Sequence, residues 1–436
     1  MSTQSVETGR TITGRPTRED GKPIPPARPP RGLRGKLRVV GPGLIIAATG
    51  VGAGDLVASL AAGQEYAFTF VWAIAVGVVL KYFLTEGIAR WCLATGTTII
   101  EAWYSLGRLV RGYFVFYLFL LAFVFGAAVA SASGLALEAM FPVLPVWAWA
   151  VLASVTGFAI NVIGRYGVFE RVMQVLVGMM FVTTVGCAIA VTPNLGDIAG
   201  GLVPRVPDGS LLYCLGLMGG VGATLTLASY TYWMRDNGWN TPEWLQTARV
   251  DIRVGYAVTG IFVLAVLIVG AEFLYGTDAS IDGEEGLVPF ADSLGDRLGG
   301  VTRWLFLLGF FAAAYSSLVG AWNGFAQLFA DYMKTARDER TTAPPNEKSG
   351  PFRAFLAWIT FPPMVLLFFD QPVFLVIVYA ALGAMFLPFL AGTLLYLNNS
   401  GRVPKALRNG IVANVVLAGS VMLFAVLAVQ KIADAV

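Results

Sequence analysis

The sequence contains 436 residues, of which 56% are hydrophobic and only 13% are charged, and its formal net charge is +3. A soluble domain carries about 25% charged residues, so this composition predicts an integral membrane protein, and the small net charge gives no reason to expect nucleic-acid binding. The chain has no histidine, which excludes Ser-His and Cys-His catalysis and HExxH zinc sites, and it has no GxxxxGK[ST] phosphate loop. We therefore expect neither an enzyme nor a bound cofactor.

The first 38 residues differ from the rest of the chain. The stretch RPTREDGKPIPPARPPRGLRGK (15–36) is rich in Pro and Arg and has few apolar residues. Such a segment buries too little apolar surface to fold, and a long charged stretch without a cleavable apolar region is not a signal peptide. We predict that residues 1–38 form a disordered basic tail in the cytoplasm and that residues 39–436 form one transmembrane domain.

Eleven apolar segments follow, each with the length of about 20 residues that a helix needs to cross the hydrocarbon core. They lie near residues 40–66, 68–93, 111–140, 146–163, 171–191, 211–233, 252–275, 300–333, 352–369, 371–396 and 408–430. The sequence therefore predicts an all-α polytopic membrane protein.

The charges of the loops indicate the orientation. With the amino terminus inside, the predicted cytoplasmic loops carry Arg and Lys, whereas the outside loop at 276–299 is acidic and has one Arg. This is the positive-inside pattern. It predicts a multi-pass protein of the plasma (inner) membrane with the amino terminus in the cytoplasm and the carboxy terminus outside.

Two of the segments contain glycine clusters in mid-span. Helix 1 contains GVGAGD (50–55), and helix 6 contains GLMGGVGATLTLASY (216–230). Interrupted segments five helices apart are typical of inverted-repeat transporters, in which unwound backbone lines a substrate cavity. The alternative is that these glycines only let helices pack closely. The matching positions favour two broken helices.

Asp55 ends the first cluster and is a costly charge within the membrane, which makes it a functional candidate. Its alternative role is structural, because an Asp at this point is a good N-cap for the second half of helix 1. The two roles are compatible, since a cap that faces a cavity can also bind a cation.

Several short motifs resemble those of the Nramp-type divalent metal transporters. They are GPGLIIA from Gly41, LATG at 93–96, GLVP at 201–204, SS at 316–317 and LPF at 387–389. The resemblance covers most of residues 40–430. It implies a LeuT-like fold in which helices 1–5 and 6–10 are inverted repeats, helices 1 and 6 are broken, and helix 11 is additional.

The ligand motifs of that family are altered here. At the family's helix 1 motif, Asp-Pro-Gly-Asn, the chain has GAGD (52–55), so the metal-binding Asp is replaced by Gly52. At the helix 6 motif, Met-Pro-His-Asn, it has ATLT (223–226), so the sulfur ligand that favours softer transition metals is absent. The acidic pair of helix 3 and the amide of helix 10 fall on Gly126, Val129 and Phe386.

The polar groups that remain near the two breaks are oxygen ligands. The candidates for substrate binding are Thr49, Gly50, Gly52, Gly54, Asp55, Gly222, Ala223, Thr224 and Thr226, with Ser229 and Tyr315 nearby. Asp55 is the charged member of the set and hence the candidate metal ligand. This set suits a hydrated Mg²⁺-like ion, Na⁺ or an organic solute better than Mn²⁺ or Fe²⁺.

Two further pairs have two interpretations each. Ser316 and Ser317 lie where LeuT-like folds often bind a coupling Na⁺ between helices 1 and 8, or they are hydrogen-bonding residues between helices. Lys81 and Glu86 are intramembrane charges of helix 2, and we expect them to form structural ion pairs. A contact between Lys81 and Asp55 would instead replace a substrate cation by a fixed one and argue against a metal site.

The sequence thus leaves two functions. The first is a secondary transporter of a cation, by family a divalent metal ion, coupled to Na⁺ or H⁺. The alternative is a transporter of a small organic solute, an amine or an amino acid, in which Asp55 pairs with an ammonium group or shapes a Na⁺ site.

Overall fold

The structure is a computed structural model that describes residues 28–163, 166–191, 193–220, 222–276, 286–337, 348–369 and 372–433. In these ranges the ordered elements are helices, and no strand is present. The first nine are α1 Gly32–Leu37, α2 Pro42–Gly50, α3 Ala53–Tyr66, α4 Val71–Thr95, α5 Ile99–Ser105, α6 Arg108–Met140, α7 Val146–Val162, α8 Tyr166–Ala190 and α9 Leu195–Gly200.

The second half of the chain contains eight further α-helices. They are α10 Leu211–Gly220, α11 Tyr230–Asp236, α12 Leu245–Leu274, α13 Leu287–Leu298, α14 Gly300–Ala336, α15 Gly350–Thr360, α16 Pro372–Asn399 and α17 Ile411–Ala433. Short 3₁₀ helices lie at Leu225–Ser229, Pro242–Trp244, Pro362–Phe369 and Lys405–Leu407.

A helix or an interrupted helix overlaps each of the eleven predicted segments. The largest difference at a helix start is at α12, which begins at Leu245 and not at residue 252. By length and apolar composition alone, six helices of the described ranges can cross a membrane, or seven if the bent pair α2 and α3 is one span. The chain is therefore a helical multi-pass membrane protein, while the count of eleven crossings stays a prediction.

Both predicted helix breaks are confirmed. In helix 1, α2 ends at Gly50, α3 begins at Ala53, and the two pieces are bent by 63°. In helix 6, α10 ends at Gly220, and α11 begins only at Tyr230, after a 3₁₀ turn. Each glycine cluster thus coincides with a change of backbone conformation.

Segment 9 contains an interruption that the sequence analysis did not predict. Helix α15 ends at Thr360, and the chain continues as a 3₁₀ helix over Pro362–Phe369. Two consecutive prolines, Pro362 and Pro363, explain the change, because proline lacks the N–H that continues an α-helix and its ring clashes with the preceding turn.

The structure describes only the last part of the predicted tail, residues 28–38. Residues 1–27 lie outside the described ranges. Within the remainder of the predicted tail, Gly32–Leu37 form the short helix α1, which was not predicted.

A buried aspartate of α12 fixes the first half of helix 1. The Asp251 carboxylate accepts hydrogen bonds from Gly41 N (2.9 Å) and Gly43 N (2.7 Å), which lie at the start of α2. Tyr230 Oη donates to the same carboxylate at 2.8 Å from the start of α11. Amides at a helix N-terminus have no partner within the helix, and a carboxylate there is favoured by the helix dipole. Asp251 therefore joins α12 to both broken helices, helix 1 and helix 6.

Side-chain hydrogen bonds also fix the second half of helix 6, α11, to α14. Tyr232 Oη donates to Asp331 Oδ2 at 2.8 Å, and Trp233 Nε1 donates to Asn323 Oδ1 at 3.0 Å. Both acceptors are buried residues of α14. These contacts hold the α11 half in place, so the irregular backbone between α10 and α11 is supported by packed helices.

Candidate functional site

The two breaks touch each other at Gly50. A Cβ at this residue would lie 2.3 Å from Ala223 N and 2.9 Å from Gly222 Cα, distances at which no side chain fits. Glycine is therefore required for the contact. The two interpretations of the glycine cluster are both correct at this position, because the residue ends a helix and also permits a close approach.

The backbone between the half-helices is not helical. Gly222 has a φ of +77°, a left-handed conformation that favours glycine. Val51 and Gly52 are extended, with ψ values of 109° and −178°. Amides and carbonyls that an intact helix would pair are consequently available to other groups in both breaks.

Asp55 lies at the start of α3 but is not the N-cap. Gly52 is the N-cap, and Asp55 is the third helical residue, whose Oδ2 accepts a hydrogen bond from Gly52 N at 2.9 Å. The side chain is partly exposed, and no hydrogen bond to its Oδ1 occurs among the described residues. The carboxylate thus stabilises the helix start with one oxygen, and the other is available to a cation.

Lys81 binds the break in helix 6. Its Nζ donates to Ala223 O at 2.6 Å and to Gly222 O at 3.2 Å, and the side chain is fully buried. In the described part of the chain, no ion pair within 4.0 Å joins Lys81 to Asp55 or to Glu86. The fixed cation that the sequence analysis weighed is present, but it binds carbonyl oxygens instead of a carboxylate.

Glu86 of the same helix has a different environment. Its Oε1 lies 2.6 Å from Arg90 Nη2 and 2.8 Å from Arg249 Nε. Arg90 also donates to Leu407 O and Arg408 O, at 3.1 and 2.9 Å. The cluster joins α4 to α12 and to the segment before α17, which is a structural role.

Ser316 and Ser317 of α14 hold the end of α2. Ser316 Oγ donates to Ala48 O at 2.8 Å. Ser317 Oγ lies 2.8 Å from Thr49 O and 3.2 Å from Val51 O. The hydroxyl groups therefore satisfy carbonyls that the end of a helix leaves unpaired.

The remaining polar candidates differ in burial and in the direction of their side chains. Thr49, Thr226 and Ser229 are buried, and the hydroxyls of Thr49 and Ser229 have no hydrogen-bond partner among the described residues. Thr224 is partly exposed at the break. Tyr315 is directed elsewhere, since its hydroxyl donates to Thr156 of α7 at 2.9 Å.

The positions that the resemblance links to metal and proton transport have packing contacts here. A Cβ at Gly52 would lie 3.2 Å from Ser317 Oγ, and a Cβ at Gly126 would lie 2.7 Å from Ile359 O. Phe386 stacks on Tyr117, with ring centroids 5.1 Å apart. In the part of the chain that the structure describes, no group of three or more His, Cys, Asp or Glu side chains could hold a metal ion.

The comparison with known families identifies the scaffold. Residues 43–434 match the family described as natural resistance-associated macrophage protein-like (Nramp). The chain belongs to the Nramp family. Members of this family are transporters and not enzymes.

One relative and two solved structures illustrate the likeness. The divalent metal cation transporter MntH of Mycobacterium tuberculosis is 26% identical over 306 residues, which cover 67% of this chain and 70% of the relative. The crystal structure of the Eremococcus coleocola manganese transporter, in complex with an aromatic bis-isothiourea substituted compound, has a TM-score of 0.76 at 16% identity and covers 94% of this chain and 90% of that one.

The second solved structure is more distant. MhsT in complex with L-phenylalanine has a TM-score of 0.54 at 16% identity and covers 90% of this chain and 98% of that one. At these identities the two structures establish the fold alone. Together with the broken helices they support the LeuT-like inverted repeat that the sequence resemblance implied.

Sequence reasoning missed three contributions to the site of this Nramp protein. Asp251 was assigned to a loop, because the predicted span began one residue later. Tyr256 Oη is hydrogen-bonded to Thr85 Oγ1 at 2.8 Å, and its ring lies beside Gly222. The carbonyl partners of Lys81 were also missed, because they are 141 and 142 residues away in sequence. The one available signal was the presence of an Asp and a Lys near or within apolar segments.

Proposed function

We propose that this Nramp protein is a secondary membrane transporter that moves a divalent metal ion between its two broken helices. The observation that carries the proposal is the position of Asp55. Its carboxylate is partly exposed at the break in helix 1, where that helix contacts the break in helix 6. A carboxylate at the junction of two breaks is the arrangement in which a transporter binds a cation near the middle of the membrane.

The donor set supports a hydrated ion held by oxygen. Asp55 supplies one carboxylate oxygen that accepts no hydrogen bond from the described residues, and Thr224, which is partly exposed at the break in helix 6, supplies a neutral hydroxyl oxygen. Mg²⁺ usually keeps several waters and binds through one or two carboxylates. A site without sulfur therefore favours a hard ion of this kind over Mn²⁺ or Fe²⁺.

The transport of an organic solute is not favoured. The matching relatives from Mycobacterium tuberculosis and Bacillus subtilis are named divalent metal cation transporters. MhsT, which was crystallised with an amino acid, shares the fold at a lower TM-score than the manganese transporter.

We also propose that the protein lies in the plasma (inner) membrane, in contact with lipid, with its amino terminus in the cytoplasm. The proposed coupling ion is Na⁺ or H⁺. The hydroxyls of Ser316 and Ser317 donate to carbonyls at the end of α2, which supports a structural role for the pair.

The proposal is tested by ion uptake into proteoliposomes that contain the purified protein. We expect uptake of Mg²⁺, read from an enclosed fluorescent indicator, and a comparison of an imposed pH gradient with an imposed Na⁺ gradient identifies the coupling ion. The variant Asp55→Asn keeps the side-chain shape and an oxygen that can accept from Gly52 N. It should reduce uptake by about 10- to 100-fold, because a charged interaction is replaced by a neutral one.

The matched control is Glu65→Gln, which makes the same change at an exposed residue of α3 away from the break. It should leave uptake unchanged. If Asp55→Asn takes up Mg²⁺ at the wild-type rate, Asp55 does not bind the transported ion. Absence of Mg²⁺, Mn²⁺ and Ca²⁺ uptake by the folded wild-type protein under every gradient would overturn the proposed function.

A further inference from the structure

Lys81 carries a charge near the middle of the membrane without a direct carboxylate partner. It is residue 11 of the 25 in α4, so it lies about 15 Å along a helix of about 37 Å. It is fully buried, and no ion pair within 4.0 Å includes it in the described ranges. A charge at this depth is costly and needs compensation from the protein.

That compensation comes from the broken helices. The ammonium donates to the Gly222 and Ala223 carbonyls, which are available because helix 6 is interrupted. Asp55 in the other break attracts the same charge over a longer distance. Two carbonyl oxygens and a nearby carboxylate are also the environment that a transported cation requires.

Glu86 shows how the same helix neutralises a charge that serves structure alone. Its carboxylate has two guanidinium partners, at 2.6 and 2.8 Å. Lys81 lies five residues earlier, and among the described residues no carboxylate lies within 4.0 Å of its ammonium. The Lys81 ammonium is therefore not held by an ion pair of the kind that neutralises Glu86.

We propose that the Lys81 ammonium is a tethered cation that occupies the helix 6 carbonyls while the site is empty and competes with the transported ion for them. This inference rests on the proposed function. The ammonium satisfies buried carbonyls that would otherwise be unpaired in the empty protein. When a divalent ion binds Asp55, the ammonium repels it until the side chain moves away, so Lys81 weakens ion binding and stabilises the empty transporter.

The test is to replace the ammonium with an apolar group of similar length. The purified variant Lys81→Met should bind Mg²⁺ at least about tenfold more tightly than the wild type, because removing a like charge beside a cation is worth more than one decade of affinity. Without Mg²⁺ it should unfold at a lower temperature than the wild type in detergent. Added Mg²⁺ should recover the lost stability, since an ion that binds the folded state stabilises it.

A smaller side chain provides a second test. In Lys81→Ala, methylammonium should enter the vacated space, compete with Mg²⁺ and raise its apparent Kd, whereas it should have no such effect on Lys81→Met. The control Lys405→Met removes a positive charge from an exposed residue and should change neither affinity nor stability. Combining Lys81→Met with Asp55→Asn should abolish the gain in affinity.

The results separate the two proposals. If the wild type transports Mg²⁺ and Lys81→Met binds it no more tightly, the tethered-cation proposal is wrong and the proposed function stands. If both Lys81 variants are unfolded and neither Mg²⁺ nor methylammonium restores them, Lys81 is a structural residue and the proposal is wrong. If the folded wild type and both variants bind no divalent ion, the proposed function fails as well.

Discussion

The breaks in helices 1 and 6 occupy matching places in the two repeats, but their freed backbone groups have different partners. In helix 1, hydroxyls of Ser316 and Ser317 bind the carbonyls at the end of α2, and the charge at the break is the partly exposed Asp55. In helix 6, the carbonyls bind the ammonium of Lys81, which is fully buried.

This difference indicates a division of roles. The first break presents an anion with a free oxygen and is held to α14 by neutral hydrogen bonds. The second break already contains a cation that belongs to the protein. The two breaks thus carry opposite charges, although both charged side chains belong to the first repeat, because the ammonium of Lys81 reaches from helix 2 to the carbonyls of helix 6.

The largest effect is expected where the two breaks touch. In Gly50→Ala the new methyl group would overlap the backbone of Ala223, so the two breaks must move apart. Overpacking of this kind costs about 3 kcal/mol, and we expect a matching loss in the free energy of unfolding, measured by denaturation in mixed detergent micelles, together with loss of Mg²⁺ uptake.

The control is Gly112→Ala in α6, where a Cβ would meet no atom within 4 Å. It should behave as the wild type. If Gly50→Ala is as stable and as active as the wild type, the contact between the two breaks is needed neither for folding nor for transport.

A second variant adds a negative charge to the break in helix 1. The sequence resemblance aligns Gly52 with the acidic ligand of the family motif, and its φ of −122° accommodates any side chain. In Gly52→Asp, Ser317 Oγ must shift by a few tenths of an ångström to relieve a 3.2 Å contact with the new Cβ. The second carboxylate should then tighten Mg²⁺ binding by about tenfold, as measured by isothermal titration calorimetry.

The neutral variant Gly52→Asn introduces a side chain of almost the same shape as that of Gly52→Asp. It therefore separates the effect of the charge from the effect of the added volume. It should bind Mg²⁺ no more tightly than the wild type. Equal affinities for Gly52→Asp and Gly52→Asn would mean that the ion does not approach this break.

The smallest effect is expected from the neutral hydrogen bonds. Ser317→Ala leaves the carbonyls of Thr49 and Val51 without this donor and should lower the free energy of unfolding by about 1 kcal/mol. Mg²⁺ uptake should keep the same dependence on Na⁺. Loss of a Na⁺ dependence in this variant would instead identify a sodium site.

Ser293→Ala serves as the control for Ser317→Ala. It removes a hydroxyl that donates to Pro289 O at the exposed surface, where water can replace the bond. No change in the free energy of unfolding is expected.

The sequence by itself determined the class of the protein and the places where its helices break. The length of an apolar segment and the position of a glycine cluster are local properties of the sequence. A helix break depends on hydrogen bonds within one helix, so GVGAGD and the glycines before Ala223 were sufficient to predict both breaks. Asp55 could be selected for the same reason, because a carboxylate within an apolar segment is costly wherever it lies. The proline-induced interruption after Thr360 was also visible in the sequence, although it was not predicted.

Tertiary structure decided which groups those residues bind. Lys81 and Glu86 are five residues apart on one helix, yet one binds the helix 6 carbonyls and the other binds two arginines. Asp251 of α12 binds amides of helix 1 that are more than 200 residues away, and it also binds the Tyr230 hydroxyl of helix 6. The periodicity of a single helix fixes the direction of a side chain, but its partner depends on how distant helices pack, and that arrangement exists only in the folded bundle.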